Sequence, residues 1–141
     1  MSICIYLAGP LFSEAERQFN KKFKLILTKN GFNVFLPQEN EVYGCDTKNE
    51  QMFSNYLNIL NKCDIIVAVL DGGLDVDSGT AWEVGYAYSK GIPIFGLRTD
   101  FRTFDDSSKI NLMIEECLTY LATDIEDLVK ILNKSLIKSN K

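Results

Sequence analysis

The stretch from Ile65 to Tyr88, IIVAVLDGGLDVDSGTAWEVGYAY, most narrows what this chain can fold into. It opens as a continuous apolar run, the pattern of a strand buried on both faces of a parallel sheet. A loop with two glycines and three aspartates (Asp71, Asp75 and Asp77) follows. At Ser78-Gly79-Thr80 the pattern becomes a helix whose first full turn is expected to carry one acid, Glu83. A strand, an acidic loop and a helix in that order place reactive groups at the carboxyl edge of a sheet. Open α/β folds bind their ligands at that edge.

The flanking sequence repeats the alternation. Ile3 to Ala8 reads as a first buried strand, closed by Gly9-Pro10, and Ser13 caps a helix expected to run to Lys29. Phe19, Phe23, Ile26 and Leu27 share one face of it. Phe32 to Leu36 is a second strand stopped by Pro37, and 38–48 is a polar loop over the sheet edge. Asn49 to Lys62 is the next helix, and the helix after the central strand runs from Ser78 to Lys90 with Gly91 as its stop. Pro93 to Leu97 is a fourth strand, 98–109 a polar loop, and Ile110 to Cys117 a helix. Leu118 to Leu121 is a short fifth strand, and Asp124 caps a closing helix to Lys138. Strands alternating with helices at these spacings give βαβ units. The expected architecture is α/β: one domain over residues 1–141, a flavodoxin-like (Rossmann-like) three-layer sandwich with a five-stranded parallel sheet.

Composition narrows the chemistry. The 141 residues are 46% hydrophobic and 24% charged, enough to bury a core in one domain. A net charge of −4 argues against a nucleic-acid surface, which needs clustered cations. No apolar run is long enough for a membrane span and no signal peptide is visible, so a cytoplasmic location is expected. Cys4, Cys45, Cys63 and Cys117 form no CxxC pair and read as reduced thiols, two of them in or beside apolar strands. There is no histidine, so Ser-His-Asp and Cys-His catalysis and histidine-ligated metals are excluded. Acid–base or nucleophilic work falls to Asp, Glu, Tyr, Cys or Lys.

Known motifs fail in instructive ways. No GxGxxG or Gly-Lys-Ser/Thr phosphate loop occurs. DVDSG starts like a calcium loop, but the twelfth position from Asp75 is Tyr86 rather than glutamate. Asp71 ends its strand as a phospho-acceptor would, yet Leu7-Ala8-Gly9-Pro10 offers no acidic pair beside it. Asp77 and Glu83 remain. They lie about one and a half helical turns apart, where both can border one cavity. On one reading Asp77 caps the helix and Glu83 is a solvated acid. On the other, Glu83 is a nucleophile kept anionic by the helix dipole, since Trp82, Val84, Gly85 and Tyr86 surround it with apolar groups.

The segments IYLAGPLF (5–12), FLPQEN (35–40), CDIIVAVLDG (63–72), DSGTAWEVGYAYSKG (77–91), GLRTDFR (96–102) and INLM (110–113) together resemble the nucleoside 2-deoxyribosyltransferase family. The resemblance implies a flavodoxin-like enzyme without a cofactor or metal. It cleaves the N-glycosidic bond of a 2′-deoxynucleoside and passes the deoxyribosyl group to another base. It implies Glu83 as the nucleophile at C1′, Asp77 as the group assisting the departing or arriving base, and Tyr6 as the residue positioning the nucleophile. It implies substrate contacts from Gly9, Pro10, Phe12, Pro37, Glu41, Tyr56, Asp71, Gly79, Asn111 and Met113, with Asn111 reaching a neighbouring subunit's sugar in a homo-oligomer. The partners implied are a deoxynucleoside and a free nucleobase. Two positions depart from the family: Tyr56 stands where Asp or Asn is usual, and Glu41 where many relatives carry an amide. A sister group hydrolyses 2′-deoxynucleoside 5′-monophosphates through a serine- and glycine-rich first loop, for which Gly9-Pro10-Leu11-Phe12 is too apolar. A nucleotide-binding module without turnover is a third reading. Arg98 and Arg102 are expected as ion-pair partners within their loop.

Overall fold

The computed structural model describes residues 2–40 and 49–139. Five strands, β1 (Cys4–Ala8), β2 (Asn33–Phe35), β3 (Ile65–Val69), β4 (Ile94–Leu97) and β5 (Tyr120–Ala122), alternate with five helices. The helices are α1 (Glu14–Lys29), α2 (Asn49–Lys62), α3 (Ser78–Ser89), α4 (Leu112–Glu115) and α5 (Ile125–Ser139). All strand pairs are parallel and the order is β2-β1-β3-β4-β5, the doubly wound arrangement expected. No helix among the described residues is long and apolar enough to cross a membrane.

The strands' period of two divides the core into two layers. Ile5, Leu7, Val67, Val69, Phe95 and Leu97 face Phe23 and Leu27 of α1 and Leu128 and Leu132 of α5. Tyr6, Ala8, Ile66 and Ala68 face Leu60 of α2 and Val84 and Ala87 of α3. Both layers are needed because a parallel sheet leaves neither face to water. Helix α1 starts where Ser13 and Glu16 form a capping box: the Glu16 N–H donates to Ser13 Oγ at 3.1 Å, and the Ser13 N–H to Glu16 Oε1 at 2.7 Å.

Two elements near the C-terminus differ from expectation. Helix α4 is a single turn, not a helix from Ile110 to Cys117. The Asn111 side chain accepts the Met113 N–H at 2.9 Å and so caps the turn one residue after buried Ile110. Strand β5 begins at Tyr120, not Leu118, because pairing is fixed from β4: the Thr119 N–H donates to Ile94 O, and Phe95 stands opposite Tyr120. Arg98, expected in a loop ion pair, is instead 1% exposed. Its guanidinium donates to the carbonyls of Leu70 (2.8 Å) and Gly73 (3.0 Å), beneath the acidic loop. Arg102 does pair, with Asp100 at 2.6 Å.

Gly96 shows how tightly the β4–α4 corner is filled. A Cβ there would lie 2.8 Å from Leu70 Cδ1 and 2.9 Å from Leu118 Cδ1. Gly96→Ala should therefore cost about 1–3 kcal/mol, lowering Tm by several degrees. Thermal unfolding checks it. A change within about 0.5 kcal/mol would mean that both leucines swing aside freely.

Candidate active site

Strand β1 and helices α2 and α3 enclose a cavity of about 320 Å³ at the carboxyl edge of the sheet. Its lining is Tyr6, Gly9 and Leu11 from β1 and the turn after it, and Pro37 after β2. Phe53, Tyr56, Leu57 and Leu60 come from α2, and Gly79, Trp82 and Glu83 from α3. Spacings of three, four and seven residues put the four α2 side chains on one helical face. Gly9 is required by close approach: a Cβ there would sit 2.9 Å from Val69 Cβ, where the ends of β1 and β3 pass each other. The sheet order reverses between these two strands, the point where doubly wound folds open a crevice.

Glu83 is the one carboxylate among the described lining residues, and the Tyr6 hydroxyl hydrogen-bonds to it. Burial pushes the Glu83 pKa up to about 7, the Tyr6 hydrogen bond pulls it down, and the Asp77 charge pushes it up. Tyr6 is 1% exposed, and burial, reinforced by the Glu83 charge, holds its hydroxyl firmly protonated. Tyr6 thus stands as a permanent donor to the carboxylate. The Tyr6 ring is in turn held against Phe35 at a centroid separation of 5.4 Å, and Phe35 lies 6.3 Å from the Tyr56 ring. Phe53 and Trp82 meet edge to face at 5.4 Å at the rim.

The expectation that Glu83 belongs to the first turn of its helix, held anionic by the dipole, is corrected. It is the sixth residue of α3, whose first turn carries no acid. The dipole's influence fades within the first turn, and desolvation dominates instead. The site therefore offers a carboxylate poised between its two protonation states near neutrality, in apolar surroundings that strengthen its interaction with any developing cation.

The remaining expected residues divide. Gly9, Pro37, Tyr56 and Gly79 line the cavity with Tyr6 and Glu83. Asp77 stands at the N-cap of α3, its Oδ2 accepting the Thr80 N–H at 3.1 Å and the Thr80 hydroxyl at 3.2 Å. Its charge reaches Glu83 from there. Asp71 is committed elsewhere: it accepts from the Thr99 N–H (2.9 Å), the Thr99 hydroxyl (2.5 Å) and the Asp100 N–H (2.9 Å), stapling the loops after β3 and β4. With Pro10 it borders a second, smaller cavity on the α1 side. Phe12 is 71% and Met113 70% exposed, and neither lines the Glu83 cavity. Asn111 caps α4, and its backbone N–H donates to Asp75 Oδ1 at 3.2 Å. Glu41 lies outside the described residues.

Sequence reading missed Leu11, Phe53, Leu57, Leu60 and Trp82, although the α2 spacing was available as a signal. It also took Gln38 as loop. Gln38 is buried, accepts from Asn20 Nδ2 at 3.0 Å and donates to Arg17 O at 2.9 Å, while Asn20 also donates to Pro10 O at 2.9 Å. This clasp ties the turn after β1 to α1 and to the turn after β2, and so sets one wall of the cavity.

Glu83 also sets a pH dependence. Its pKa near 7 in the folded protein exceeds its ordinary value of 4.5, so folding holds the proton that the unfolded chain releases. The stabilisation from neutral Glu83 is complete below about pH 4.5 and is lost as pH rises through about 7, on the order of 3 kcal/mol in all. Tm measured against pH for the protein and for Glu83→Gln should diverge across that window, with the variant the more stable above pH 7. Parallel curves would mean that Glu83 is solvated.

A family model for nucleoside 2-deoxyribosyltransferase matches residues 5–124. A comparison with curated proteins gives no match. Among solved structures, a conserved protein from Enterococcus faecalis V583 superposes with a TM-score of 0.83 at 26% identity, over 96% of this chain and 99% of that one. A 2-deoxyribosyltransferase from Bacillus psychrosaccharolyticus gives a TM-score of 0.76 at 31% identity, over 89% and 90%. A CMP N-glycosidase from Clostridium botulinum shares the fold at a TM-score of 0.55 and 18% identity, over 94% and 98%. The match spans the strand, the acidic loop and the helix that carry Glu83, and the chain belongs to the nucleoside 2-deoxyribosyltransferase family.

Proposed function

We propose that this protein transfers the 2-deoxyribosyl group of a 2′-deoxynucleoside to a second purine or pyrimidine base through a covalent deoxyribosyl–Glu83 intermediate. The observation that carries this reading is the half-buried Glu83 carboxylate, hydrogen-bonded by a protonated Tyr6 in an otherwise apolar cavity. In the first half, a Glu83 carboxylate oxygen bonds to C1′ and the N-glycosidic bond breaks. Its electron pair leaves on the base nitrogen, and the base takes up a proton, which Asp77 is placed in this proposal to handle. In the second half, a nitrogen of the incoming base attacks C1′, displaces the carboxylate and gives up its proton to Asp77. Two displacements return the original anomeric configuration.

Tyr6 orients the nucleophile, and the apolar α2 wall keeps water from competing with the second base. The CMP N-glycosidase's fold keeps a second reading in view, in which water takes the second step. Among the described residues no Lys or Arg lines the cavity, which speaks against a phosphomonoester substrate. Incubating the protein with a deoxynucleoside and a different free base decides between the readings. The exchanged nucleoside with retained configuration supports transfer, and free deoxyribose supports hydrolysis. Neither product would reduce the site to binding.

In the same reading the protein works in the cytoplasm as a homo-oligomer, with the segment around Asn111 and exposed Met113 meeting a neighbouring copy's site. A sedimenting monomer with full activity would overturn that part.

A further inference from the structure

The thiols of Cys4 and Cys63 touch: their sulfurs lie 3.0 Å apart, one at the start of β1 and the other between α2 and β3. Their backbones are already clamped side by side. The Cys4 N–H donates to Asp64 Oδ2 at 2.8 Å, the Asp64 N–H donates to Cys4 O at 2.9 Å, and Ile5 stands opposite Ile65 in the ladder. Closing a bond between the sulfurs therefore asks only for side-chain rotation about fixed Cα positions.

We propose that Cys4 and Cys63 are a redox modification site, which peroxide converts reversibly to a disulfide that locks β1 to the C-terminal end of α2. The two sulfurs have distinct roles. Cys4 is half-buried and accessible, whereas Cys63 is 6% exposed. Burial, with help from the hydrogen bond to Cys4, pushes the Cys63 thiol up and keeps it protonated. Cys4 attacks first: its sulfur bonds to one peroxide oxygen, the O–O bond breaks, and water leaves, giving a Cys4 sulfenic acid. The Cys63 sulfur then attacks the Cys4 sulfur, the S–O bond breaks, and the departing hydroxide takes the Cys63 proton to leave as a second water. Two thiols have lost two electrons and two protons, and one peroxide has become two waters.

The bond would join residues 59 positions apart in the chain, enclosing β1, α1, β2 and α2. Cross-linking so long a loop restricts the unfolded chain strongly. It also anchors the helix that supplies Phe53, Tyr56, Leu57 and Leu60 to the cavity. Cys117, the third described cysteine, donates to the Met113 carbonyl from the α4 turn.

The test treats the reduced, full-length protein with a small excess of hydrogen peroxide. The expected result is a mass loss of about 2 Da, one peptide containing Cys4 joined to Cys63, and a Tm raised by roughly 10 °C, all undone by dithiothreitol. Cys4→Ser and Cys63→Ser should each abolish the link. In Cys63→Ser, a sulfenic-acid probe should label Cys4. Should Cys63→Ser fail to fold, the half-buried Cys4→Ser carries the test alone. A link through Cys45 or Cys117, a disulfide between two chains, or over-oxidation of Cys4 with no cross-link would each overturn the proposal. None of these readouts depends on the reaction assigned to Glu83.

Discussion

Glu83→Ala is expected to lose base exchange by roughly 10⁴–10⁶-fold in kcat, because a missing nucleophile is rarely replaced by another group. The fold should survive, since the change removes a half-buried, desolvated carboxylate whose ionisation costs stability near neutral pH and substitutes a good helix former inside α3. Loss of the side chain leaves space beside Tyr6, so the stability change is the balance of a relieved charge and a small void. Asp77→Asn should hurt less, by roughly 10²–10⁴-fold for proton transfer to the base. Asparagine keeps a cap for α3, so that loss reads chemistry more than helix stability. Substrates with good leaving groups should rescue Asp77→Asn in part and leave Glu83→Ala inactive. Because the Asp77 charge raises the Glu83 pKa, Asp77→Asn should also move the acid limb of kcat/KM, expected near pH 7, to lower pH. A 2′-fluoro deoxynucleoside should leave a covalent adduct whose peptide contains Glu83. An adduct on Asp77, Asp71 or Asp75 would overturn the assigned roles.

How far the sequence could lead is seen best at these same residues. Apolar runs and glycine stops placed β1, β3 and α3 within a residue or two, because strands buried on both faces carry an unmistakable pattern. The parallel sheet followed from the βαβ rhythm, and the flavodoxin-like order expected for it is the one observed. The ends of α4 and β5 were not legible. They depend on which backbone donor the Asn111 side chain takes and on where Ile94 offers its carbonyl, and neither leaves a periodic trace. The site was half legible. Glu83 stood out as a charge among apolar neighbours, but its protonation is set by desolvation under Tyr6 and α2, a consequence of packing. Arg98 was misread as an ion-pair partner because a charged loop residue gives no sign in the sequence that the loop's own carbonyls need donors.

Arg98 carries the largest expected effect on stability. It is the largest fully buried side chain among the described residues, and its Nη1 donates to the buried Leu70 carbonyl at 2.8 Å. Its Nη2 donates to Gly73 O at 3.0 Å and, at longer range, to Leu74 O and Arg102 O at 3.4 Å. Nε is buried without a hydrogen-bond partner among the described groups. No carboxylate contacts the guanidinium in any of these bonds, so carbonyl dipoles at the carboxyl edge of β3, together with the nearby Asp100 charge, compensate the buried cation. Arg98→Ala would strip those carbonyls of charge-assisted donors and open a cavity, at a cost of roughly 3–5 kcal/mol. Arg98→Lys should recover less than half of this, because one ammonium on a flexible stem cannot span carbonyls that the planar fork reaches together. Urea unfolding should show the loss as a lower midpoint at unchanged m. The anchored carbonyls begin the loop from Asp71 to Asp77 that sets the start of α3, so exchange activity should fall with stability even under conditions where the variant stays folded. Arg98→Ala with near-normal stability would mean that water replaces the guanidinium. Lost stability with intact activity would mean that α3 holds Glu83 in place without the loop.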